Sequence, residues 1–175
     1  MSMGGAHVFV DESKRAGYVV VAVSVDPDRV DGVRRALRAM LLPGQNSLHF
    51  RDERDGRRRA LLAQMSALEV SATVYVSGDR HAVQARRSCL QALAADAAGQ
   101  EVEMIWLELA DGDLPADRRT LFQAQQELKA GFVYRHVRAP QEPGLWVADG
   151  VAWAWPQGGR WRQCVAAMIG DVVQV

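Results

Sequence analysis

The chain has few cysteines and no long apolar run. Its 175 residues include only Cys89 and Cys164, a pair without the spacing of a metal-binding motif. Both fall at apolar positions of predicted helices, which favours small core residues over a disulfide or a reactive pair. No segment approaches the roughly 18 uninterrupted apolar residues that a membrane-spanning helix needs. The first residues also lack the basic region and apolar core of a signal peptide, so we expect a cytoplasmic protein.

The chain also has no excess of positive charge. The 21 lysines and arginines balance 21 aspartates and glutamates, and only Lys14 and Lys129 are lysines. Zero net charge argues against strong non-specific binding of nucleic acids, which depends on neutralising phosphates, but it permits a local basic groove. The sequence contains no nucleophile elbow and no glycine-rich phosphate loop with lysine. Its four histidines show no zinc-type spacing.

The remaining composition is that of a globular protein, with 49% hydrophobic and 24% charged residues. A chain of this length predicts one domain over residues 1–175. The first predicted strand, His7 to Ser13, turns back as Tyr18 to Val25, whose apolar residues on both faces indicate a central strand. Strands and helices then alternate. The predicted fold class is α/β, with a mixed central sheet, an antiparallel N-terminal hairpin and flanking helices.

Two helices are predicted to close the chain. The first runs from about Leu145 to Trp155. The second is indicated by apolar residues at helical spacing: Trp161, Cys164, Val165, Met168, Ile169 and Val172. In the long helix predicted from Arg80, Val83 is a core candidate. Four of the five tryptophans lie in the last two predicted helices, where core packing or a homodimer surface is the expected role.

Two aspartates stand out as candidate metal ligands. Asp11 ends the first strand and Glu12 points to the opposite face, so at most one of them enters a given site directly. Asp11 could instead only build the turn. Asp149 lies in the apolar run of the late helix, where a bare carboxylate would be very costly to bury. It must therefore be paired, hydrogen-bonded or bound to a cation, and a salt bridge with an arginine or an N-terminal helix cap is the alternative to a metal site.

Glu108, at the end of a later predicted strand, is the third candidate. Asp111, Asp113 and Asp117 are alternatives from the loop behind it, and a solvated glutamate at a sheet edge is the simplest other reading. Three converging carboxylates repel one another unless a divalent cation neutralises them. Oxygen ligands suit Mg²⁺ or Mn²⁺, and two such ions can hydrolyse a phosphodiester.

Three short motifs resemble those of a large uncharacterised group of ribonuclease-H-like domains. They are Val10-Asp11-Glu12-Ser13, Leu48-His49-Phe50 before an arginine-bearing helix, and Trp146-Val147-Ala148-Asp149-Gly150-Val151-Ala152. The resemblance implies a ribonuclease-H-like fold and a metal-dependent nuclease site, with Asp11 and Asp149 as ligands and Glu108 less securely. One departure is Lys14, which stands where the group usually has glycine and changes the turn beside the expected site.

Two functional hypotheses follow. The first is an Mg²⁺- or Mn²⁺-dependent nuclease acting on RNA or DNA, with Asp11, Glu108 and Asp149 as catalytic ligands. Glu12 and His49 are accessory candidates, since an imidazole can transfer protons near neutral pH. The second is a non-catalytic module of the same fold that binds a protein or a nucleic acid. Residues 51–59 combine arginines with acids, which predicts a solvated, self-paired face rather than a phosphate site.

Overall fold

The computed structural model describes residues 5–110 and 112–175 and contains one six-stranded mixed sheet. The strands are β1 (His7–Ser13), β2 (Tyr18–Val25), β3 (Ser71–Ser77), β4 (Met104–Glu108), β5 (Val133–Val137) and β6 (Ile169–Gln174). Their spatial order is β5-β4-β1-β2-β3-β6. β2 is antiparallel to both β1 and β3, whereas β4, β5 and β6 join the sheet by parallel pairing. The predicted N-terminal hairpin and mixed sheet are confirmed.

Helices cover both faces of this sheet. They are α1 (Val30–Ala39), α2 (Asp55–Ser66), α3 (Ala82–Gly99), α4 (Leu114–Leu128), α5 (Gly144–Ala154) and α6 (Gly159–Val165). α1, α2, α5 and α6 form one core with the sheet, and α3 and α4 form the other. β2 is buried on both faces, because seven of its eight residues are inaccessible. Its predicted central position is therefore confirmed.

Two glycines allow α5 to approach the sheet and its neighbours closely. A Cβ at Gly144 would lie 2.4 Å from two ring carbons of Phe9, the buried aromatic residue of β1. A Cβ at Gly150 would lie 2.9 Å from the ring of Phe50. Because real Cβ atoms do not make such contacts, these glycines set how near the helix lies to β1 and to the segment around Phe50.

The prediction of a final helix through Val172 is wrong. α6 ends at Val165, a 3-10 turn spans Ala166–Met168, and the chain continues as β6. The β-branched residues of β6 suit a strand, and Gly170 would weaken a helix. Parallel pairing with β3 provides hydrogen-bond partners for the backbone of β6. The helical spacing beyond Val165 arose by coincidence, and Val172 is 40% exposed.

Two further observations concern the helices. Val83 is 71% exposed on α3, so its assignment to the core is wrong, whereas Cys89 on the same helix is fully buried, as predicted. Val83 lies in the first turn of α3, ahead of Ala85, the first buried residue of this helix. Among the described residues, no helix has the length and hydropathy needed to cross a membrane.

Candidate active site

The parallel pairing of β1 and β4 brings two of the predicted ligands to one place. Phe9 lies opposite Trp106 in this pairing. Asp11 and Glu108 each follow two residues later, so both leave the sheet on the same face, where it is covered by α5. The ends of two adjacent strands therefore present carboxylates to the same helix.

Asp149 projects from α5 toward this strand end and is held by the backbone of a loop. Its Oδ2 accepts a hydrogen bond of 2.8 Å from the backbone N–H of Phe50. Phe50 follows an extended segment and begins a 3-10 turn at Phe50–Asp52, which leaves that N–H free to donate. Neither the predicted arginine salt bridge nor a helix cap describes Asp149, because a backbone N–H orients it from outside its own helix.

The Asp11 and Asp149 carboxyl groups lie close enough for each to act directly on the pKa of the other. Two neighbouring carboxylates repel each other unless one of them keeps its proton or a cation neutralises them. Burial, the charge of Asp149 and the charge of Glu108 raise the pKa of Asp11 well above its ordinary value. Burial also raises the pKa of Asp149, although the Phe50 N–H and nearby His49 act against this. Without a cation, this pair therefore retains a proton that isolated aspartates release.

A cleft of about 480 Å³ opens over this pair. Asp11, Asp149 and Glu108 line it. The same cleft is bordered by three basic residues, Lys14, Arg15 and Arg51. An acidic floor below a basic rim suits a ligand that joins a cation to a phosphate.

The two accessory candidates also border this cleft, in different ways. His49 lies on its wall, and its Nε2 is 3.2 Å from Ser47 Oγ. Glu12 points to the opposite face of β1, as predicted, where it forms an ion pair with Arg86 and accepts a hydrogen bond from the Tyr18 hydroxyl. Lys14 Nζ lies 3.5 Å from Glu12 Oε1. Glu12 is thus already neutralised by cations of the protein itself.

Asp117 belongs to a buried ionic network instead of the carboxylate pair. Arg86 binds it through two parallel hydrogen bonds of 2.7 and 2.8 Å, and His136 Nε2 lies 2.9 Å from its Oδ2. Burial alone would raise the pKa of Asp117, but the hydrogen bonds from Arg86 and His136 outweigh burial and lower it. Asp113 lines a separate cleft between α3 and α4. Asp111, the remaining alternative, lies outside the described residues.

Sequence reasoning missed this network, although it left a signal. Asp117, Thr120, Leu121 and Ala124 are all buried and fall at i, i+3, i+4 and i+7 on α4. The same reasoning that singled out Asp149 therefore applied to Asp117. Arg86 left no comparable signal, since one arginine among many in a helix does not reveal its partner.

The arginine-rich stretch is mostly self-paired, as predicted. Arg57 pairs with Glu53, and Arg58 pairs with Asp55 at 2.7 Å. Arg58 also donates to the carbonyl of Phe50, so it fixes the loop whose N–H holds Asp149. Of these arginines, Arg58 therefore supports the site through the backbone of Phe50.

The carboxylates of the cleft fit one mode of divalent-cation binding. Within residues 5–110 and 112–175, no three His, Cys, Asp or Glu side chains are grouped closely enough to hold one ion. Asp11, Asp149 and Glu108 line one cleft without forming such a group of three. Mg²⁺ is commonly bound by one or two carboxylates and otherwise by water and substrate phosphates. The Asp11–Asp149 pair fits that mode, with a cation replacing the proton that the pair retains.

Comparison with known proteins supports the fold. No protein-family model and no curated protein matches the sequence. One similar solved structure is ribonuclease HII of Archaeoglobus fulgidus in complex with PCNA, with a TM-score of 0.58. The match has 16% identity and covers 90% of this chain and 75% of that chain. The protein therefore has a ribonuclease-H-like fold. The comparison gives no support to a homodimer, which was one of the two expected roles of the late tryptophans.

Proposed function

We propose that this protein is a divalent-metal-dependent nuclease that hydrolyses phosphodiester bonds of RNA or DNA. The main support is the position of Asp11 and Asp149 side by side in one cleft whose rim carries Lys14, Arg15 and Arg51. We further propose that residues 1–175 form one cytoplasmic domain related to the uncharacterised ribonuclease-H-like group. The neighbour of known structure is a ribonuclease by name, which is consistent with the proposal but does not extend its activity to this chain.

Asp11 and Asp149 would hold Mg²⁺ or Mn²⁺, and Glu108 would accept hydrogen bonds from water bound nearby. When bound, the cation lowers the pKa of a coordinated water and neutralises charge on the phosphate. The Phe50 N–H orients Asp149 through its Oδ2, which leaves the lone pairs of Oδ1 available to a cation. This arrangement fixes the ligands in place before any substrate arrives.

The rim residues would attract and position the phosphodiester. Arg15 and Arg51 are exposed at the cleft, and Lys14 is 62% exposed. His49 could accept a proton from an attacking water or donate one to a leaving oxygen, since its ring reaches the same cleft. Glu12 would act indirectly, by holding the Lys14 ammonium beside the cleft.

The non-catalytic alternative is favoured by one observation. Glu108 does not join the aspartates in a compact group of three ligands within the described part of the chain. A two-carboxylate pair binds cations more weakly than a larger acidic cluster, because fewer negative charges compensate the lost hydration. In that case the same scaffold would bind a protein or nucleic acid without cleaving it.

Metal titration followed by thermal unfolding separates these two functions. A ligand present at 100 times its Kd stabilises the native state by about 2.7 kcal/mol. For a domain of this size, that corresponds to a rise in Tm of about 5 to 11 °C. We expect such a rise with millimolar Mn²⁺ or Mg²⁺ in the parent protein and its loss in Asp11→Asn and Asp149→Asn.

Asp28→Asn is the matched control, because Asp28 is exposed and distant in sequence from the cleft-lining residues. This variant should keep the full metal-induced rise. Labelled RNA and DNA substrates then test cleavage, which should require both the metal and the two aspartates. Absence of any Tm rise in the parent at millimolar metal would overturn the nuclease proposal and leave the binding module.

A further inference from the structure

A second groove lies beside the carboxylate cleft and contains a surplus of hydrogen-bond donors. It has a volume of about 520 Å³, and we call it the arginine groove after Arg59 and Arg160. Both residues are exposed, and neither has an ion-pair partner in the part of the chain that the structure describes. The only acid lining this groove, Asp55, is already bound by Arg58 at 2.7 Å. Two positive charges therefore face the groove without compensation.

The two arginines define the chemistry of a ligand for this groove. Each guanidinium offers several N–H donors in a planar fork and no acceptor. Arg59 and Arg160 therefore favour an anionic ligand that offers several oxygen acceptors.

The arginine groove and the carboxylate cleft share an aromatic wall. Trp161 lines the groove, Trp153 lines the cleft, and their rings meet edge to face with centroids 4.7 Å apart. Arg58 stacks on Trp153 at 4.3 Å, and Arg59 lies 5.9 Å from the Trp161 ring centre. A polyanion bound in the cleft can therefore continue over this wall into the groove.

We propose that the arginine groove binds the phosphate backbone of the nucleic-acid strand on one side of the cleaved bond. This inference rests on the proposed nuclease function for the identity of the ligand. Phosphate contacts hold a strand without reading its sequence, so the groove would set the register and length of the bound strand. It also explains how a protein of zero net charge can hold a polyanion, because the uncompensated charge is concentrated at one surface.

The test measures binding without cleavage. Fluorescence anisotropy in EDTA compares a labelled 12-nucleotide single-stranded RNA, the same DNA strand and the RNA–DNA duplex, at several salt concentrations. The Arg59→Ala/Arg160→Ala variant should weaken binding of at least one of these probes by tenfold or more. Loss of two contacts to a single strand should also reduce the slope of log K against log salt by about 1.4.

The control variant is Arg87→Ala/Arg119→Ala, which removes the same charge from α3 and α4 on the other face of the sheet. It should change the affinity less than twofold. Equal weakening by the two double variants would show that only overall charge matters and would overturn the proposal. So would an unchanged affinity in the groove variant, or no binding of any probe by the parent. A labelled poly-glutamate peptide that binds through Arg59 and Arg160 when no oligonucleotide does would assign the groove to an acidic protein partner.

Two readouts keep this inference distinct from the nuclease proposal. Arg160→Glu should weaken binding of the oligonucleotide more than Arg160→Ala. The groove variants should also retain the metal-induced rise in Tm, because neither Arg59 nor Arg160 lines the carboxylate cleft. If oligonucleotide binding depends on the groove arginines but metal does not raise the Tm, the nuclease proposal fails and the proposal that the groove binds phosphates stands. If metal raises the Tm but the groove variants bind normally, the groove proposal fails alone.

Discussion

Replacement of Gly150 by alanine tests how the site is assembled. The added Cβ would lie 2.9 Å from Cε2 and Cζ of the Phe50 ring and 3.3 Å from Cδ2 of Leu62. Neither side chain has solvent on any side to move into, because both are 0% exposed. Phe50 must therefore shift, and its backbone N–H is the hydrogen-bond donor that orients Asp149.

The magnitude follows from a comparison with a second glycine. Alanine normally stabilises a helix by about 1 kcal/mol relative to glycine. Gly32 in α1 has no heavy atom within 4 Å of an added Cβ, so Gly32→Ala should show this gain. Overpacking a core typically costs about 1 to 3 kcal/mol. Gly150→Ala should therefore be less stable than Gly32→Ala by about 1 to 3 kcal/mol, or roughly 2 to 12 °C in Tm.

Thermal unfolding followed by circular dichroism measures this difference, and urea unfolding provides the free energies. Gly150→Ala should also show a smaller metal-induced rise in Tm than Gly32→Ala, since the displaced Phe50 no longer holds Asp149. If the two variants are equally stable and respond equally to Mn²⁺, the close approach of α5 to Phe50 is not a determinant of the site.

Two predictions concern pH. The pKa of Asp11 is raised in the folded protein, so the metal-free protein loses stability as the pH rises above the pKa of an unfolded aspartate, about 4. In EDTA, Asp11→Asn should therefore have a higher Tm than the parent at pH 8 but not at pH 4. A parent that is more stable than Asp11→Asn at pH 8 would contradict the raised pKa of Asp11. The lowered pKa of Asp117 has the opposite sign, so its contribution is present above about pH 4 and is lost as pH falls further. Asp117→Asn should cost about 3 kcal/mol at pH 7, because it removes one of the two carboxylates that neutralise the buried Arg86 and leaves only Glu12. Urea unfolding at pH 7 and pH 3 should show this cost shrinking in acid. A cost that is the same at both pH values would exclude the ionic account of this network.

The fold could be predicted from local patterns wherever burial imposes a period on the sequence. β2 was placed at the centre of the sheet because its residues are apolar on both faces, and α5 was placed by its long apolar run. The end of the chain was mispredicted because Val172 continued a helical spacing by chance. Only the parallel pairing with β3, which is distant in sequence, determines that β6 is a strand.

The site shows the same division between local and distant information. A carboxylate on an apolar helix identified Asp149, since burial of a charge demands a partner. Its actual partner, the Phe50 N–H, is 99 residues away and belongs to an irregular segment, so no periodicity could reveal it. Asp11 and Asp149 lie close together because of the way α5 crosses β1. Close packing at Gly144 and Gly150 determines that crossing.

Anomalous X-ray scattering from a crystal soaked in Mn²⁺ tests the central claim most directly. The account predicts an anomalous peak between the side chains of Asp11 and Asp149, about 2.2 Å from one oxygen of each, as expected for a small divalent cation with oxygen ligands. A saturating soak that leaves the two carboxyl groups where they are, with no peak in the cleft, would contradict it.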